Sequence, residues 1–292
     1  AGRRFYNLST LASFVLLASV LCLNAASLPA GFTETPVPGP SAGNWNEAVG
    51  ITFNAAGRMF VWERNGRVWF RDASETNFTQ LLDLSEEVAD WGDHGCLGFA
   101  LDPNFSVNGY IYLLYAVDRH HLLYYGTTNY NAETNEYTAA SIGRVTRYTC
   151  TATNDFRSVN PASRLVLIGE TKTNGFPLCS DTHGVGSLVF GRDGTLLVSC
   201  GDGATAWQVD TGGTASGSFA PQALSDGIIR PKENVGAYRA QLVDCLNGKI
   251  LRIDPATGDG VPSNPFYDPA NPRAAKSRVW ALGCRNPFRI AL

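Results

Sequence analysis

The chain contains four histidines, and one of them, His183, stands at the head of the stretch "SDTHGVGSLVFGRDGTLLVSCGDG", with Asp202 near its end. An imidazole can take up a proton near neutral pH with little tuning. A carboxylate placed against it would orient the ring and stabilise its protonated form. Nineteen positions separate the two, but the intervening residues alternate apolar and polar around "GRDG". That pattern predicts a hairpin, which brings its two ends back together. The two glycines of "THGVG" allow a close backbone approach at that end.

Other residues carry weaker signals. "DWGDHGCLGFALDPNF" places Asp93 and His94 before a glycine and a strand, where polar groups can project into a cavity or form a solvated turn. "ALGCRNPFRIAL" offers Arg285 beside Asn286, a pair able to clamp a carboxylated ligand through forked hydrogen bonds or to form an ordinary loop. His120 and His121 lie near Tyr124 and Tyr125 without ligand spacing, and are expected at the surface. "GVGSLV" lacks the last glycine of a dinucleotide fingerprint and leads into a strand, which argues against a nicotinamide cofactor. "DPATGDG" has too few acids for a calcium loop and is expected to be a turn.

The elements that must position these residues are short strands. The chain has 292 residues, 44% apolar, 17% charged, with 30 glycines, which favours strands and turns over charged helices. A unit of strand, Asp/Asn-Gly turn and strand recurs at 51–70, 98–117 and 187–203, with further units at "NGKILRIDPATGDGVPS" and "SRVWALGCRNPFRIAL". Repeated hairpins of this kind predict an all-β propeller, with a decorated β-sandwich as the competing fold. Only "FTQLLDLSEEVADW" shows a turn or two of helical period. The long connections 119–165 and 203–240 are expected to be functional.

Residues 1–27 join Arg3 and Arg4 to an apolar run from Leu11 to Leu23 and a small-residue end, the pattern of a secretory signal peptide. A secreted protein with no membrane segment after cleavage is therefore expected. The net charge of −3 becomes more negative without the two arginines, and no basic stripe suggests nucleic acid. Of seven cysteines, Cys22 lies in the leader. The other six permit up to three disulfides in an oxidising compartment, with Cys200 alternatively a buried thiol. No CxxC pattern argues for zinc. Asn77 and Asn104 begin sequons. The absence of an initiator methionine and an ending inside an apolar alternation lead us to expect truncation at both ends.

Six ordered segments together resemble the glucose/sorbosone dehydrogenase family, soluble quinoprotein aldose dehydrogenases that use pyrroloquinoline quinone (PQQ). They are "LPAGFTETPV", "GRMFVWERNGRVW", "HGCLGFALDPNFSVNGYIYLLY", "THGVGSLVFGRDGTLLVSCGDG", "LNGKILRIDPATGDGVPSNPF" and "VWALGCRNPF". The resemblance implies a six-bladed β-propeller domain over 28–292, incomplete at its C-terminus, with about four to five blades represented. It implies that His183 is the general base that takes the proton from the anomeric hydroxyl of an aldose as hydride passes to PQQ. Asp202 would support that base, Asp93, Arg285 and Asn286 would contact the cofactor, and the glycines of "THGVG" would leave room for substrate. An external electron acceptor and Ca2+ are implied, the calcium ligands being expected beyond Leu292. Asp93 departs from the glutamine or glutamate common in the family, and Cys284 from a frequent histidine. The alternative is a secreted, non-catalytic propeller of the hedgehog-interacting-like kind that binds a protein or glycan.

Overall fold

A computed structural model describes residues 28–292; the expected signal peptide, 1–27, lies outside the described residues. Two compact units are present. The first ends at Pro38; its described residues are exposed, with a turn closed by the Phe32 N–H donating to the Pro29 carbonyl at 3.1 Å. The second, Gly39–Leu292, holds all the sheets.

Three antiparallel sheets follow one another along this unit. The first is a meander of β1 (Ala48–Phe53), β2 (Met59–Glu63), β3 (Arg67–Arg71) and β4 (Thr79–Asp83), in that order. The second comprises β5 (Cys96–Leu101), β6 (Tyr110–Ala116), β7 (Ser141–Cys150) and β8 (Val159–Ile168), with β9 (Phe176–Leu178) also pairing β7. β10 (Val185–Phe190), β11 (Leu196–Cys200), β12 (Lys249–Ile253) and β13 (Val279–Leu282) make the third. Period-two sequences produce these strands: "RVWFR" of β3 and "KILRI" of β12 alternate buried and half-buried residues along their length, so one face of each can turn inward.

The sheets meet face to face through shared cores. Phe60 and Trp62 of β2 and Phe70 of β3 join Phe99 of β5 in one apolar cluster, where the Trp62 and Phe99 rings stack at 5.3 Å. Leu97, Tyr112 and Val145 of the second sheet join Val185, Leu188, Val198 and Leu251 of the third in another. Burying each such side chain contributes about 1.5–3 kcal/mol, which fixes neighbouring sheets against one another.

The all-β reading with blade-like meanders is what the structure has, and the number of sheets is three where four to five were expected. The reason lies in pairing. "KILRI" and "VWAL" do not start new sheets; β12 adds to β11 through the register Leu196↔Ile253, and β13 adds to β12. The helical period at 78–91 is also overridden, because Leu82 pairs Val68 across the sheet as part of β4. Helices are short and lie in the connections: α1 (Phe105–Asn108), α2 (Arg119–Tyr124), α3 (Ala220–Ser225) and α4 (Ala275–Arg278). Among the described residues none is long and apolar enough to cross a membrane.

His120 and His121 are not at the surface. Asp118 caps α2 by accepting from both of their backbone N–H groups, and both side chains are buried. Nor does any disulfide form among the described residues; all six cysteines are free, and the buried-thiol alternative for Cys200 is the one seen. The cysteines fall on separate elements, Cys96 on β5, Cys150 at the end of β7 and Cys200 on β11, and serve as small apolar side chains. Burial pushes the thiols of Cys96 and Cys150 up to about 12 and that of Cys245 up to about 11.

Candidate active site

The hairpin β10–β11 pairs Val185 with Cys200. His183 and Asp202 each lie two residues beyond that pair, so strand register alone brings them to the same end. Their side chains meet: His183 Nδ1 and Asp202 Oδ1 are 3.1 Å apart. Asp202 is fully buried and His183 is 9% exposed. A carboxylate can only accept, so Nδ1 carries a proton, and in the neutral ring Nε2 is the nitrogen with the lone pair. No described residue bonds to Nε2, leaving it available as a base.

Asp202 is held from three sides. Its second oxygen accepts from Arg285 Nη1 at 2.6 Å, and Oδ1 also accepts from the Ala204 N–H at 3.0 Å. The Asp202 N–H in turn donates to the Arg285 carbonyl at 3.0 Å. Arg285 reaches the carbonyl of Thr205 at 3.1 Å and remains half-exposed. A cleft of about 450 Å³ is lined by Asp202, Arg285, Gln208, Val209 and Tyr238 among others. It opens beside the carboxylate and guanidinium; the imidazole does not line it.

His183 has a φ of +54°, a left-handed conformation costly for a side chain with a Cβ. The surrounding backbone enforces it. The Gly203 N–H donates to the His183 carbonyl at 2.9 Å, and the Gly201 N–H to the Gly184 carbonyl at 2.8 Å. The glycines of "THGVG" make room for the protein itself. A Cβ on Gly184 would fall 2.6 Å from His94 Nδ1, and one on Gly186 would meet Ser199 Oγ at 2.3 Å and the Pro287 carbonyl at 2.6 Å.

His94 is part of this frame. The ring is 1% exposed, and Nε2 bonds the Ser180 carbonyl at 2.8 Å. Because a carbonyl only accepts, Nε2 bears the proton and the ring is neutral; burial holds its pKa below the ordinary histidine value. Nδ1 has no partner among the described residues, and neither has the indole N–H of Trp91, whose ring meets the imidazole edge-on at 4.8 Å. One residue earlier, the Asp93 N–H donates to the Asp181 carbonyl at 2.8 Å. The 93–94 segment therefore grips 180–181, two to three residues before the base.

A second support was not foreseen from the sequence. Arg239, fully buried on the 203–240 connection, donates Nε to the Asp202 carbonyl at 3.0 Å and Nη2 to that of Gly203 at 2.8 Å. Lys249 is also fully buried, and Nζ donates to the carbonyls of Arg239, Ala240 and Asn247 at 3.0, 2.9 and 2.5 Å. Burial lowers the pKa of that ammonium. Asn247 Nδ2 donates to the carbonyls of Pro177 and Gly201 at 2.8 and 3.2 Å. The signal was present in "NGKILRID": a lysine at an inward position of an alternating strand demands buried acceptors.

His183, Asp202 and Arg285 are thus brought into one constellation. Asp93 lies exposed on the neighbouring loop and Asn286 is exposed beside Arg285, and the side chain of neither forms a hydrogen bond with a described residue. The half-exposed guanidinium of Arg285 at the cleft suits an acidic planar ligand such as PQQ; Asn286, the next residue in the chain, does not line that cleft. For calcium no such fit exists: the described residues contain no group of three or more acids, histidines or cysteines able to hold a metal ion, so no ligand is assigned to it.

The family model for glucose/sorbosone dehydrogenases matches residues 45–292. The chain belongs to this family. Its fold is similar to that of the PQQ-bound aldose sugar dehydrogenase of Streptomyces coelicolor, with a TM-score of 0.55 and 20% identity over 87% of this chain and 54% of that one. The apo aldose sugar dehydrogenase of Escherichia coli is similar with a TM-score of 0.52 and 19% identity, over 82% and 52% of the two chains. Curated relatives of this glucose/sorbosone dehydrogenase family member include the HIPL1 protein of Arabidopsis thaliana, 24% identical over 242 residues, covering 72% of this chain and 30% of the relative. HIPL2 of the same plant is 23% identical over 278 residues, covering 82% and 35%. The chain therefore spans about a third of the length of these curated relatives and about half that of the solved dehydrogenases.

Proposed function

We propose that the protein to which this chain belongs is a secreted quinoprotein that oxidises an aldose at its anomeric carbon, with His183 as general base. The observation that carries this reading is the 3.1 Å contact between His183 Nδ1 and the buried carboxylate of Asp202. In this reading the anomeric O–H of the sugar donates to Nε2, and the proton moves onto the ring as the C–H bond breaks. Asp202, ionised and bonded to Arg285, then faces an imidazolium and stabilises it. Left-handed backbone at His183, fixed by Gly201 and Gly203, keeps the ring in one orientation, so little reorganisation accompanies proton transfer. Arg285, Asn286 and Asp93 are the residues that would contact PQQ, which would supply the two-electron acceptor for the hydride, with an external acceptor needed to regenerate it. Calcium dependence and secretion are parts of the same proposal, with no described residue assigned as a calcium ligand.

The test is dye reduction by aldoses with the full-length protein, PQQ and Ca2+. His183→Ala is expected to lower the rate by more than about a hundredfold while PQQ still binds. A protein that binds PQQ but oxidises no aldose, or a His183→Ala variant as fast as the parent, rejects the general-base assignment. Binding of a protein or glycan partner without PQQ or turnover would support the non-catalytic reading instead.

A further inference from the structure

A second cleft, of about 580 Å³, lies away from His183, Asp202 and Arg285. Six charged residues line it: Arg230, Glu233, Asp244, Arg273, Lys276 and Arg278. Three of the four cations already have acids. Arg230 bonds Glu233 at 2.6 Å and Asp244 at 3.1 Å, Lys276 bonds Asp268 at 2.9 Å, and Arg273 pairs with Glu170 and Asp259.

Arg278 is different. It is 2% exposed and has no carboxylate partner among the described residues. One long contact, Nη2 to the Leu167 carbonyl at 3.4 Å, is shared with Arg273, whose Nη2 reaches the same oxygen at 3.2 Å. Nε is buried without any partner. Burial, and then the neighbouring Arg273, push this guanidinium down to about 10, so it is still a cation at neutral pH. Asp259 acts on it only from beyond ion-pair distance, and a buried charge with no acid in contact is costly and is ordinarily paired. The guanidinium fork matches the two oxygens of a carboxylate or sulfate.

We propose that this cleft is a binding site for a small ligand bearing one oxyanion, a carboxylate or a sulfate ester, held against Arg278. One negative charge is specified because only one cation of the lining lacks an acid, and Glu233 and Asp244 on the same wall repel a second. The site is independent of the oxidation chemistry and stands or falls without it.

Calorimetric titration of the full chain tests it, with sodium methyl sulfate and sodium acetate in separate arms and sodium chloride matching the ionic strength, since non-specific charge effects are screened alike. Saturable one-to-one binding of at least one anion is expected, and the arm that binds identifies the group. Arg278→Met should weaken it by about tenfold or more. Asp244→Asn, a half-exposed position at the cleft, should tighten it severalfold by removing a repelling charge and releasing Arg230. It also serves as the test if Arg278→Met fails to fold. Absence of saturable binding in both arms, undiminished affinity in folded Arg278→Met, or no tightening in Asp244→Asn overturns the proposal and leaves only adventitious ion binding.

Discussion

Asp202 and Glu87 are both buried carboxylates, and their partners differ. Asp202 shares its oxygens between His183 and Arg285. Glu87, in the loop after β4, is 7% exposed and shares its own among Arg144 at 2.5 Å, Arg164 at 2.7 Å and the Tyr115 O–H at 2.7 Å. Both arginines are always charged, and burial holds the pKa of nearby His121 below the ordinary histidine value, so the Glu87 cluster keeps one protonation state at neutral pH and acts as a clamp between the loop after β4 and strands β7 and β8. At Asp202 one partner is an imidazole, with a free nitrogen on its far side. Burial and charge compensation are common to the two; a titratable partner with an open lone pair is what gives only one of them a capacity for proton transfer.

The comparison is sharpest when each carboxylate is removed. Glu87→Ala leaves the buried Arg144 and the partly exposed Arg164 without their shared acid, and is expected to cost about 3 kcal/mol of stability, read as a lowered denaturant midpoint with an unchanged slope. A loss below about 1 kcal/mol would show that water takes over as the partner of Arg144 and Arg164. Asp202→Asn makes the opposite prediction. The amide keeps the volume and can still accept from His183 Nδ1, but it no longer stabilises the imidazolium. Turnover of the full-length protein with PQQ and Ca2+ is expected to fall by on the order of tenfold to a hundredfold, with the acid limb of the rate profile moving to lower pH, because an imidazole deprived of its carboxylate partner is the weaker base. A variant with unaltered turnover and profile would reduce Asp202 to a structural role like that of Glu87.

How much of this was legible beforehand depends on sequence distance. The His183–Asp202 pair could be read because a hairpin converts a separation of nineteen into adjacency by register alone. Arg285 was legible as a polar residue near the site, but its bond to Asp202 spans 83 positions and depends on β13 joining the third sheet. Arg239 bonds backbone carbonyls from an irregular connection, which leaves no mark in a sequence; Lys249 is marked by its inward place on β12, but the carbonyls it bonds are not. The period at 78–91 misled for a related reason: β3 offers Val68 as a partner for Leu82, and tertiary pairing outweighs a weak local helical preference. His120 and His121 were read as surface residues because nothing local announces that Asn131 donates its N–H to His120 Nε2 at 3.1 Å.

The smallest expected effects concern pH, and they separate the two regions again. At Glu87 burial pushes the carboxyl up, but Arg144, Arg164, His121 and the Tyr115 hydroxyl together hold it below the ordinary glutamate value of 4.5. Its contribution to stability is therefore complete above that value and is lost as pH falls through the lower folded pKa. His94 acts earlier. With burial holding its pKa below 6.5, the unfolded chain takes up a proton there first, so stability begins to fall once pH drops below about 6.5. His94→Gln removes the titrating group while an amide N–H can still reach the Ser180 carbonyl, and should cost about 1 kcal/mol or less at pH 7.5. Between pH 6.5 and 5 the variant should lose less stability than the parent, and the His183 ring, followed by nitrogen NMR of labelled histidine, should keep its proton on Nδ1. His94→Phe keeps a ring but lacks the donor, and the Ser180 carbonyl then loses its partner. Should His94→Phe leave the His183 signals unmoved, the grip of 93–94 on 180–181 has no bearing on the base, and the strained backbone at His183 is held from the Gly201–Gly203 side alone.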